Sequence, residues 1–82
     1  MDKASVSVKI MNDTYALRTS APAEKVKQIA EEVDKRMQSL AADKNIQYRE
    51  KLAIWTALDL AADLLELQER YDRLLARSEE RR

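Results

Sequence analysis

The chain has 82 residues, enough for one small domain that would struggle to bury sufficient apolar surface to stay folded alone. It contains no cysteine for a disulfide and no histidine for a zinc site, which leaves self-association as the ordinary remedy. Fifteen basic residues cancel fifteen acidic ones, no thiol or imidazole is present for catalysis, and the absence of glycine excludes phosphate-cradling loops and dinucleotide fingerprints.

The first element in the chain is a strand. From Ser5 to Met11 the residues Val6, Val8 and Ile10 alternate with Ser5, Ser7 and Lys9, and a second alternating stretch runs from Thr14 to Thr19. Asn12 and Asp13 tolerate positive φ, so a two-residue hairpin turn is expected on them. That turn pairs Met11 with Thr14, Ile10 with Tyr15, Val8 with Leu17 and Val6 with Thr19. All the large apolar partners then share one face, which a one-residue slip would scatter.

Ser20 or Ala21 is expected to open a helix, with Pro22 in its first turn and Glu24 near the positive end of the dipole. Its core face reads Val26, Ile29, Ala30, Val33, Met37 and Leu40, with Lys25, Lys27, Glu31, Glu32, Lys35 and Arg36 around it. The stretch from Ala41 to Tyr48, carrying Asp43, Lys44 and Asn45, breaks this pattern and reads as a connector whose Ile46 turns back to the core.

No residue from about Arg49 to Glu80 opposes helix, and such a helix would extend about 45 Å at 1.5 Å per residue, too long for so small a head. Along it Ala53, Ala57, Leu60, Leu64, Leu67, Tyr71, Leu74 and Ser78 are spaced alternately by four and three residues, the seam of a coiled coil. A second stripe, Ile54, Leu58, Ala61 and Leu65, lies beside it in the first half of the helix, together with Leu52 and Trp55. Two apolar faces call for two partners: one face is expected to cap the head, the other to meet a neighbouring subunit. Beyond Leu67 the helix narrows to an arm, its surface carrying the i,i+4 pairs Glu66 with Arg70 and Glu69 with Arg73. With the seam at positions a and d, Ile54, Ala61 and Leu75 fall at e, and this widened face suits a dimer able to become a tetramer. The expected oligomer interface is Ala53, Ala57, Leu60, Leu64, Leu67, Tyr71, Leu74 and Leu75. Trp55, among aliphatic neighbours, reads as packing rather than as a ligand platform.

The expected fold class is therefore α+β. An N-terminal β-hairpin and short helix form a small head over residues 1–48, connector included, and a long C-terminal coiled-coil helix occupies residues 49–82. No apolar run approaches the length of a bilayer span, and Met1-Asp2-Lys3-Ala4-Ser5 lacks a signal-peptide core, so a cytoplasmic protein is expected.

This order of elements, with the run Glu50-Lys51-Leu52-Ala53-Ile54-Trp55-Thr56-Ala57-Leu58-Asp59-Leu60-Ala61, resembles the ZapA family of cell-division proteins. Val8-Lys9-Ile10, Ala21-Pro22 and Ala30-Glu31-Glu32-Val33-Asp34-Lys35-Arg36-Met37 extend the resemblance over nearly the whole chain. It implies a non-enzymatic protein without cofactor, metal or small-molecule substrate. Such a protein forms homodimers and homotetramers through its C-terminal helices and cross-links filaments of the division GTPase FtsZ at the midcell ring.

Glu50 matches an acidic residue used by the family in FtsZ contact, and the hairpin turn, with Asp13, is the other implicated region. Arg18, Lys44 and Arg49 are candidate positive partners for an acidic filament segment. This chain departs from the family at the turn, where Gly and a basic residue are frequent in place of Asn12 and Asp13, and at Asp59, where Asn is common.

Two other readings compete. A ribbon-helix-helix DNA binder also places a strand ahead of two helices, but it reads DNA with polar and basic strand residues, and here only Lys9 and Arg18 are basic on the outer hairpin face. A coiled-coil adaptor for another cytoplasmic partner would share the architecture. The neutral charge balance argues against nucleic acid and membrane as partners.

Overall fold

In the computed structural model, which describes residues 3–80, the elements follow the order β1 (Ala4–Ile10), β2 (Asp13–Thr19), α1 (Ala23–Lys44) and α2 (Arg49–Glu80). The strands form an antiparallel two-stranded sheet. The α+β class, with its hairpin, shorter helix and long second helix, is as expected. Residues 1–2 and 81–82, at the outer ends of the expected head and long helix, lie outside the described residues.

The register differs from the expectation by two residues: Val6 faces Leu17, Val8 faces Tyr15, and Ile10 faces Asp13. The turn therefore sits on Met11 and Asn12, with φ of 51° and 68°, instead of on Asn12 and Asp13. Two successive positive φ values are the signature of a two-residue turn whose twist matches the strands. Asn accepts such a conformation readily and Met does not. Because side chains alternate with period two, the slip leaves Val6, Val8, Ile10, Tyr15 and Leu17 on one face.

Pro22 precedes α1 rather than entering it, and its carbonyl accepts from the Val26 N–H at 3.1 Å. The Thr19 hydroxyl accepts from the Ala21 N–H at 3.0 Å and shapes the entry to the helix. At the other end α1 runs through Ala41, Ala42, Asp43 and Lys44, shortening the expected connector to residues 45–48. Asn45 closes the helix with φ 52°, the left-handed cap conformation that glycine usually supplies. Polar residues at the end of α1 are thus compatible with one more helical turn once Asn45 terminates it. Ile46 is half-buried, in keeping with its return toward the core.

The core is small. Val6 and Val8 from β1 meet Val26 and Ala30 from α1, with Ile10 packed at the edge. Val33, Met37 and Leu40 are half-buried, whereas Ile29, expected in the core, is exposed. A second face of α1 carries α2, which docks through Leu52, 3% exposed, and Thr56, 4% exposed. The Thr56 hydroxyl donates to the Leu52 carbonyl at 2.8 Å, so its burial leaves no polar atom unsatisfied.

The second apolar stripe of α2 does not cap the head. Ile54, Trp55, Leu58 and Leu65 are all exposed, and only Leu52 of that group is buried. Polar residues complete the contact between the helices instead: the Arg36 guanidinium on α1 bonds Asp59 at 3.0 Å and also pairs with Asp63, while Glu32 holds it at 2.9 Å. These three carboxylates push the Arg36 pKa up further, Asp63 contributing most. A radius of gyration of 16.9 Å, against about 12 Å for a compact domain of this length, reflects how far α2 projects.

Candidate functional site: the hairpin tip and the bare faces of the long helix

At the hairpin tip the sequence places one demanding residue, Met11, whose N–H and C=O lie outside the strand ladder. Backbone groups in that position need partners. Asp34, from the middle of α1, supplies one: its Oδ1 accepts from the Met11 N–H at 2.7 Å. Gln38, one turn further on, donates to Asp34 Oδ2 at 2.9 Å and fixes the carboxylate. These two hydrogen bonds, the Met11 amide first, hold the Asp34 carboxyl below the usual aspartate range.

The second partner comes from α2. Arg49, its first residue, donates from Nη2 to the Met11 carbonyl at 3.1 Å and pairs through Nη1 with Asp13. The tip is therefore held by one side chain from each helix. Beside it lies an open hollow of about 470 Å³ lined by Lys9, Met11, Asn12, Asp34 and Gln38.

Of the candidate filament-contact residues, Asp13 and Arg49 are brought together at this tip, and the exposed Glu50 follows directly on α2. Arg18 sits opposite Ser5 toward the far end of the hairpin. Lys44, at the end of α1, places its Nζ 4.4 Å from the Trp55 ring centroid, a cation–π contact. Together with Asn45, Tyr48 and Lys51 these two residues line a separate hollow. The five candidates thus fall into three places rather than one patch.

Met11, Asp34 and Gln38 were not singled out by reading the chain. The available signal was Asp34 itself, an acid four residues after the buried Ala30 and three before the half-buried Met37, on the flank of an otherwise apolar face.

The expected oligomer interface is laid bare along α2. Leu64, Leu67, Tyr71, Leu74 and Leu75 are exposed, as are Ala53 and Ala57, and Leu60 is half-buried. Continuous apolar surface of this length on one helix marks an interaction face. Among the described residues no helix is long and apolar enough to cross a membrane.

Comparison with known proteins places the same architecture in one group. The family model described as "Cell division protein ZapA" matches residues 6–82. The cell division protein ZapA of Geobacillus thermodenitrificans is 36% identical over 76 residues, covering 92% of this chain and 82% of that protein. Its counterpart from another Geobacillus strain is 30% identical over 73 residues, covering 89% and 84% respectively. A solved structure, a ZapA mutant dimer from Geobacillus stearothermophilus, matches with a TM-score of 0.69 at 30% identity, covering 90% of this chain and 86% of that one.

Proposed function

Because the chain belongs to the ZapA family of cell division proteins, we propose that it is a non-enzymatic, self-associating cross-linker of FtsZ filaments that works in the cytoplasm at the division ring. The observation that carries this reading is the pair of apolar stripes on α2 that its own head leaves uncovered. One is the seam through Leu64, Leu67, Tyr71 and Leu74, and the other runs through Ile54, Leu58 and Leu65. A stripe for each of two partners supports a homodimer that can pair again into a tetramer, and the relative solved as a mutant dimer supports the first of these steps.

The mechanism is geometric. The first half of α2 carries the head and the second half is the oligomerisation arm, so a joined set of arms presents several heads on one stiff body. A head that binds a filament weakly then acts at a high effective concentration once its neighbour is attached, and adjacent filaments are drawn together without any chemical step. Asp13, Arg49 and Glu50 are the head residues best placed to meet a filament, since they gather at the tip and the start of α2.

The test is co-sedimentation with FtsZ polymerised in GTP, with electron microscopy of the pellets. The reading requires the protein to pellet with filaments and thicken them into bundles, and Leu67→Glu to bind filaments without bundling them. An oligomeric protein left in the supernatant would overturn FtsZ as the partner.

A further inference from the structure

Resting on the head as the filament-binding unit, we propose that Asp34 and Arg49 are positioning residues that lock the Met11–Asn12 turn in its left-handed conformation, doing the work of the glycine this chain lacks and pre-forming the tip for its partner. Two successive positive φ values in a hairpin turn are normally supplied by Asn, Asp or Gly. Asn12 fits that requirement and Met11 does not, and no glycine exists anywhere in the chain.

What Met11 has instead is external restraint on both of its backbone polar groups. Its N–H is held at 2.7 Å by Asp34 and its C=O at 3.1 Å by Arg49. Each restraint is itself anchored, Asp34 by Gln38 and Arg49 by Asp13. Since one comes from α1 and the other from α2, the clamp sets the tip's conformation and also its place relative to the start of α2, where Glu50 lies. An unclamped methionine would populate extended backbone conformations, and a partner would bind only the fraction still in the turn.

The experiment compares the full-length wild type with Asp34→Ala, Met11→Gly and the double variant Asp34→Ala/Met11→Gly, each first confirmed to be folded and oligomeric. Met11 amide hydrogen exchange reports the clamp, and FtsZ co-sedimentation reports its consequence. Asp34→Ala is expected to speed Met11 exchange and weaken filament binding, each by about tenfold, the factor that one strained residue of ordinary cost implies. Exchange at Val8 and Val26 should stay unchanged. In the Met11→Gly background Asp34→Ala should cost no further binding, because glycine adopts positive φ without help.

A double variant that binds more weakly than Met11→Gly alone would make Asp34 a direct contact and overturn the proposal. Unchanged Met11 exchange in Asp34→Ala would overturn it too. If the wild type does not pellet with FtsZ at all, the proposed function fails, and the exchange measurement still decides the clamp.

Discussion

Replacing Leu67 with Glu tests the seam where its consequence can be worked out. Leu67 is 63% exposed in the single chain and lies beyond the residues that dock α2 on α1, so the change removes no contact within the head. Burying a whole leucine side chain contributes about 1.5–3 kcal/mol, so covering the exposed part contributes about 1–2 kcal/mol per copy, or about 2–4 kcal/mol for a pair of arms. An unpaired carboxylate left in the seam adds a further cost of several kcal/mol. At 1.4 kcal/mol per tenfold, the dissociation constant of the oligomer should rise by more than about a hundredfold. Equilibrium sedimentation across a concentration series measures this directly. Urea melts give a second readout, since the wild-type midpoint should depend on protein concentration and that of the variant should not. A variant that sediments as the wild type does at every concentration would refute the seam assignment.

Three other perturbations follow from the geometry. Thr56→Val keeps the shape of a buried residue and removes a hydroxyl whose acceptor, the Leu52 carbonyl, still lies in the helix ladder; urea melts should show a change within about 0.5 kcal/mol, and a larger loss would give the hydroxyl an unrecognised partner. Arg36→Met removes the polar hub between α1 and α2 and should lower the thermal midpoint at low salt. The gap to wild type should close in about 1 M salt, where screening reaches about 3 Å, and a gap indifferent to salt would assign the loss to packing. The depressed Asp34 pKa means that its contribution to stability is fully present above the ordinary aspartate value of 3.8 and is lost as pH falls through the lower folded value. Met11 amide protection should therefore be flat from neutral pH down to about 4 and collapse only in stronger acid, and loss of protection near pH 6 would contradict it.

The tip shows why some of this fold was legible and some was not. Alternation of Val6, Val8 and Ile10 against Ser5, Ser7 and Lys9 determines which face of the hairpin is buried, and that result survives either placement of the turn because both registers have the same parity. Local propensity, however, favoured Asn12 and Asp13 for the turn. The structure places it one residue earlier, and partners 23 and 38 residues away take up the Met11 amide and carbonyl there. A window of neighbouring residues contains no trace of such contacts. Likewise Asp43 and Lys44 looked like a break in α1, and they are its last turn because Asn45 adopts the left-handed cap.

The long helix divides in the same way. Its extent and its four-three apolar seam are properties of residue spacing, so Ala53 through Ser78 declared them without any partner present. Which face meets the head is a different kind of question, decided by what α1 offers across the contact. Hydrophobicity favoured Ile54, Leu58 and Leu65, but α1 presents Arg36, and a guanidinium draws the face bearing Asp59 and Asp63, with Thr56 buried between them and Leu52. Periodicity is written into one segment, whereas the docking of two segments depends on complementarity between them, and only the tertiary structure brings both sides of that match together.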